Sequence, residues 1–158
     1  MKKITRAALS FLPPFAVAGL SYVFTANASQ VYESLKQPPL SPPSAVFPWV
    51  WSILFLLMGV SFFMVLKASP TFPKPTALIY FSQLAVNFLW SVFFFRAQWF
   101  WFSFFWLLFL LVMIVAMIRS FYKIRPAAAL LQISYLAWVS FAGYLNLMIA
   151  LLNEGPLL

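Results

Sequence analysis

Trp51, Asn87, Trp90, Trp138 and Asn146 are indole and amide side chains set inside long apolar runs, on three separate segments of the chain. An indole offers a broad polarisable wall and one N–H donor, and an amide offers both a donor and an acceptor. Groups of this kind bind flat apolar molecules well and transfer protons poorly. The 158 residues include no His, no Cys and only two acids, Glu33 and Glu154, both outside the apolar runs. General acid–base catalysis within those runs therefore lacks the His, Cys or carboxylate that would commonly perform it. Without Cys there are no disulfides or thiolate metal sites, and without His, zinc and His-ligated haem iron are excluded. The expected chemistry is ligand binding, with no catalytic residue, metal or resident cofactor.

The elements that must position these groups follow from composition. Hydrophobic residues make up 65% of the chain and charged residues 8%, far from globular averages. A bilayer can cover that much apolar surface, and a helix needs roughly 20 residues to cross it. Five segments qualify, at 7–26, 46–66, 76–95, 99–118 and 126–152. The expected fold is an all-α integral membrane protein, a five-transmembrane-helix bundle forming one membrane domain over residues 1–158. A polar, Pro-rich loop spans 27–45, a tight turn falls at Arg96–Gln98, and a basic turn runs from Arg119 to Arg125. Pro126 suits the first turn of the last helix. Pro13–Pro14 should kink the first span, with neighbouring helices satisfying the freed carbonyls. No internal repeat of the inverted-transporter kind is evident.

A net charge of +8 would suggest nucleic acid in a soluble protein. Here the bases lie between apolar runs, so topology and anionic lipid headgroups explain them and no nucleic-acid partner is expected. Five crossings place Lys2, Lys3, Arg6, Lys67, Lys74, Arg119, Lys123 and Arg125 on one side, against Lys36 and Arg96 on the other. The positive-inside rule then puts the amino terminus in the cytoplasm and the carboxyl terminus outside, which fits a bacterial inner membrane. Ala26-Asn27-Ala28 resembles a signal-peptidase site, but the preceding apolar stretch is longer than most signal cores and holds two prolines. An uncleaved first helix is expected.

Helical spacing sorts the interior groups into stripes. Gln83, Asn87, Trp90 and Phe94 share one face of the third span. Tyr135, Trp138, Ala142, Asn146, Ile149 and Asn153 share a face of the fifth, and Trp51, Phe55, Met58 and Phe62 a face of the second. Amides in hydrocarbon need partners, so these faces should point inward. Position alone allows Gln83, Asn87 and Asn146 to be interhelical glue, pocket lining or both. Trp99 and Trp101, beside the Arg96 turn, suit an interfacial belt, and Trp49 fits it too. The fourth span is apolar nearly all round, with Ser103 its hydroxyl, and should face lipid or another subunit.

The order Tyr32-x-x-Leu35-x-x-Pro38-x-x-x-Pro42-Pro43, Val50-Trp51-Ser52-Ile53-Leu54, Gln83-Leu84-x-x-Asn87-x-x-Trp90-Ser91-x-x-Phe94 and Tyr135-Leu136-x-Trp138-Val139-x-Phe141-Ala142-x-x-Leu145-Asn146 resembles the translocator protein family. That family is also called tryptophan-rich sensory protein or peripheral benzodiazepine receptor. The likeness runs from Val31 to Asn153. It implies a five-helix bundle, often a homodimer, whose first loop caps a pocket for porphyrins and for benzodiazepine-type or isoquinoline ligands. By position, Tyr32, Trp51, Phe55, Asn87, Trp90, Trp138, Ala142 and Asn146 would line that pocket, and Pro42 and Pro43 would shape its lid. The family commonly has Trp before Tyr32, Lys before Pro38 and Pro before Tyr135, where this chain has Val31, Gln37 and Ser134. Nothing basic follows Tyr144, so the proposed cholesterol pattern is missing and no sterol ligand is expected.

These features favour a membrane receptor that binds porphyrins (tetrapyrroles) and similar flat hydrophobic molecules, acting in stress response or porphyrin homeostasis. A light- and oxygen-dependent porphyrin-degrading enzyme is the first alternative, which would have to use indole radical chemistry. A facilitated transporter of tetrapyrroles is the second. Proton-coupled transport is disfavoured, because Glu33 and Glu154 both lie outside the spans.

Overall fold

A computed structural model describes residues 2–155. Its helices are α1 (Lys3–Phe24), α2 (Ala28–Ser34), α3 (Val46–Ala68), α4 (Lys74–Ser91), α5 (Phe100–Tyr122), α6 (Pro126–Leu131) and α7 (Ile133–Asn153), with a π-helical turn at Val92–Arg96 extending α4. Among the described residues, five spans are long and apolar enough to cross a membrane, namely α1, α3, α4 with its π turn, α5, and α6–α7 together. The chain is an all-α integral membrane protein. The helices close a ring in which α3 packs on α1, α1 on α4, α4 on α5, α5 on α7 and α6, and α6 back on α3.

Two details depart from the expected spans. The 27–45 loop begins with a helix, α2, and the last span is interrupted between α6 and α7. At the interruption, buried Gln132 turns its Nε2 to the Leu57 carbonyl at 3.3 Å, while Ser61 Oγ donates to the Ala128 carbonyl at 2.6 Å. Buried Ala128 and Ala129 bring α6 close enough to α3 for both bonds.

α1 runs through Pro13–Pro14 without a break. Pro14 has no N–H to offer the Ser10 carbonyl four residues earlier. The Tyr80 hydroxyl of α4 donates to that carbonyl at 3.2 Å, so a neighbouring helix supplies the missing donor. α3 also approaches here, because Gly59 has no side chain. A Cβ at Gly59 would lie 2.5 Å from Phe11 Cδ1 and 3.2 Å from the Ser10 carbonyl oxygen.

The bundle end bearing α2 is tied together by polar groups from distant segments. Asn153 Oδ1 accepts from the Lys36 N–H at 3.0 Å, and its Nδ2 donates to the Lys36 carbonyl at 3.1 Å. Tyr144 Oη donates to the Pro39 carbonyl at 3.0 Å. Leu40, at the lid's turn, adopts a left-handed φ of 71°. Glu154 accepts from the N–H groups of Phe100 and Trp101 at 3.4 and 3.3 Å, placing negative charge on the open amino end of α5. Trp49 and Trp99 are exposed near the same end, whereas Trp101 is half-buried and its Nε1 donates to the Gly155 carbonyl at 3.0 Å. α5 divides its faces: Leu107, Leu110, Ile114 and Met117 are buried, whereas Phe102, Phe105, Phe109 and Val112 are exposed.

Candidate functional site

A cavity of about 320 Å³ lies at this end, between the last turns of α1, α2, the first turns of α3 and the end of α4. Local geometry explains its walls. Trp51 and Phe55 stand one turn apart on α3, with ring centroids 5.6 Å apart. Asn87 and Trp90 share a face of α4, and the Trp90 ring lies 6.2 Å from Trp51. The π turn adds one residue to the helical repeat, so Phe94 is buried in the core while Phe95 still reaches the cavity. Tyr32, from α2, packs edge-on against Phe47 at 4.9 Å and closes the top.

Polar groups in these walls are few and oriented. Asn87 Nδ2 donates to Tyr135 Oη at 2.9 Å, and Tyr135 Oη donates to Gln83 Oε1 at 3.0 Å. This chain of bonds holds the Asn87 amide from behind. Its Oδ1 has no partner among the described residues and is the acceptor available to a donor in the cavity. Ser91 Oγ donates to the Phe88 carbonyl at 2.7 Å, so it is largely satisfied within its own helix. Tyr32 Oη donates to the Pro42 carbonyl at 3.3 Å, and the Tyr32 carbonyl accepts from Gln37 Nε2 at 2.8 Å. Burial pushes the Tyr32 phenol pKa above its ordinary value, which keeps it a neutral donor.

Of the positions named from sequence, Tyr32, Trp51, Phe55, Asn87 and Trp90 line this cavity together. Trp138, Ala142 and Asn146 lie outside its lining. Asn146 is buried and belongs to a network: Oδ1 accepts from Trp90 Nε1 at 3.1 Å and Ser103 Oγ at 3.0 Å, and Nδ2 donates to the Phe100 carbonyl at 2.8 Å. Ala142 is buried on the same helix. Trp138 packs edge-on against Phe47 at 5.8 Å, and its Nε1 is buried without a partner. Pro42 and Pro43 also lie outside the lining. Pro42 acts through its carbonyl, which fixes the Tyr32 hydroxyl.

Sequence reasoning missed the wall from α1 and the residue that follows it, which contribute Ala18, Ser21, Tyr22 and Thr25. Their spacing of three, one and three residues places small and hydroxylated groups on one helical face. That stripe is the signal in the sequence, on a helix that carries no amide or indole.

The sequence pattern of the TspO/MBR family matches residues 10–152. The chain is 35% identical to the tryptophan-rich protein TspO of Chlorobaculum tepidum, over 96% of this chain and 98% of that protein. It is 33% identical to the translocator protein homolog of Schizosaccharomyces pombe, covering 77% of each. To the translocator protein of Bos taurus it is 34% identical, over 73% of this chain and 70% of that one.

Proposed function

This chain belongs to the TspO/MBR family, and from that membership we propose a membrane receptor whose aromatic cavity binds tetrapyrroles and similar flat hydrophobic molecules. The observation that carries the proposal is the Trp51–Trp90 wall, with Phe55, Tyr32 and the Asn87 acceptor in the same lining. Neighbouring indole faces in one wall give a flat π-system an area to stack on. A pyrrole or amide N–H could meet Asn87 Oδ1 without disturbing the bond from its Nδ2 to Tyr135. Binding under a latched lid suits a sensor of ligand level, in stress response or porphyrin homeostasis. The charge bias of the loops supports a cytoplasmic amino terminus, with the cavity at the outer end.

The test is a titration of the purified protein with a porphyrin, followed by quenching of tryptophan fluorescence and by the porphyrin absorption band. Saturable binding is expected. Trp51→Ala should weaken it roughly two- to twelvefold, as loss of about 0.5–1.5 kcal/mol of aromatic contact implies. Trp138→Ala should have the smaller effect, since Trp138 stands behind Phe47. A folded Trp51→Ala variant that binds like the wild type would remove the cavity from consideration.

A further inference from the structure

We propose that Arg96 anchors the carboxylate of an amphiphilic ligand whose apolar body fills the aromatic cavity, an assignment that rests on that cavity being a ligand site. A second cavity, of about 370 Å³, adjoins the first at the same end of the bundle. Thr25, Ala26, Ala28 and Phe95 belong to the walls of both. The π turn makes the junction: of two consecutive residues, Phe95 borders both cavities and Arg96 borders the second. Arg96 is exposed, with its guanidinium carbon 5.7 Å from the centre of the Phe24 ring, a cation–π contact that steers it toward the α1–α2 turn.

The charges leave this guanidinium free for an incoming anion. Glu33 accepts from the Ser44 hydroxyl, and Glu154 is engaged with the amino end of α5. Among the described residues neither carboxylate pairs with Arg96. Lys36, the other base on this side, has its backbone latched to Asn153 and lines neither cavity. A guanidinium is also the better matched group, since its planar donors meet both oxygens of a carboxylate. The first cavity is at the small end for ligand sites, so a ligand of tetrapyrrole size extends beyond it, and the shared wall directs the extension toward Arg96. Together the two cavities select an acid with an apolar body.

The experiment compares acid and ester forms of two unlike bodies. A porphyrin dicarboxylate and its dimethyl ester are titrated into wild type, Arg96→Gln and Arg96→Lys, alongside a dibrominated octadecanoic acid and its methyl ester, whose bromines quench tryptophan. The wild type should prefer each acid by about tenfold or more, the scale of a charged hydrogen bond. Arg96→Gln should abolish that preference while leaving ester affinity unchanged, and Arg96→Lys should retain part of it. A merely structural role for Arg96 would lower acid and ester alike and overturn the proposal. Equal binding of acid and ester by the wild type, or a preference that survives in Arg96→Gln, would overturn it too, with tetrapyrrole binding intact. If neither porphyrin saturates but the brominated acid shows an Arg96-dependent preference, the carboxylate anchor stands and the tetrapyrrole assignment falls. If no probe binds, both fall.

Discussion

Replacing Asn146 by Ala should cost far more stability than replacing Asn87 by Ala, and should cost less ligand affinity. Asn146 makes three hydrogen bonds, to Trp90, Ser103 and Phe100, which join α4, α5 and α7. Interhelical bonds in membrane proteins average about 0.6 kcal/mol and reach about 1.7. Three of them give roughly 2 kcal/mol as the central expectation and about 5 as the ceiling. The Trp90 indole N–H is left behind in a buried site where no water can easily replace the partner, which favours a value above the centre. Asn87 makes one such bond, to Tyr135, so its loss should cost about 0.6 kcal/mol.

The measurement is reversible unfolding in mixed micelles, titrated with a denaturing detergent and followed by tryptophan fluorescence. Porphyrin binding is measured in parallel under native conditions. Asn146→Leu, which fills most of the vacated space, should lose nearly as much stability as Asn146→Ala, because the missing bonds rather than the missing volume dominate. Asn87→Ala should weaken porphyrin binding by more than Asn146→Ala does. An Asn146→Ala protein within about 0.5 kcal/mol of wild type would refute the network argument, since even one average bond exceeds that. A larger affinity loss for folded Asn146→Ala than for Asn87→Ala would place Asn146 in the site instead.

Three further outcomes follow from particular contacts. Tyr80→Phe removes the donor to the Ser10 carbonyl and should destabilise by about 0.6–1.7 kcal/mol; in a Pro14→Ala background, where the residue-14 N–H serves that carbonyl, the loss should shrink toward zero, and a loss unchanged in that background would show that the proline is irrelevant. Gly59→Ala drives a methyl group into Phe11 and toward the α1 backbone, so it should cost about 1–3 kcal/mol in the same unfolding assay; a cost below about 0.5 would mean that α1 yields freely. The Tyr32 phenol pKa is raised by burial above the ordinary 10.0, so its contribution to lid closure is present below pH 10 and is lost as pH rises through the raised value. Porphyrin release should therefore accelerate above that pH in the wild type and stay flat in Tyr32→Phe, and equal acceleration in both would clear Tyr32 of the effect.

Asn87 and Asn146 also mark how far a sequence can be read in a membrane protein. Span number and the inward faces of the amides were legible, because hydrocarbon imposes a long apolar run and penalises an unpaired amide wherever it points outward. Whether an inward amide meets another helix or an empty space depends on which residues stand opposite, and periodicity within one helix carries no information about its neighbour. Ser103 shows this: its span, apolar nearly all round, suggested a helix facing lipid or another subunit, yet Ser103 is fully buried and supplies one of the three bonds that occupy Asn146. Register adds a second barrier. From Val92 onward the α4 face is set by a π turn, and a pattern counted at 3.6 residues per turn loses the phase that brings Phe95 to the cavity and Arg96 to its neighbour. The family pattern carried Tyr32, Trp51, Phe55, Asn87 and Trp90 onto one cavity because their spacing precedes that turn or lies on other helices. The α1 wall and the residue bordering the second cavity depend on packing and phase, so they became visible only with the helices in place.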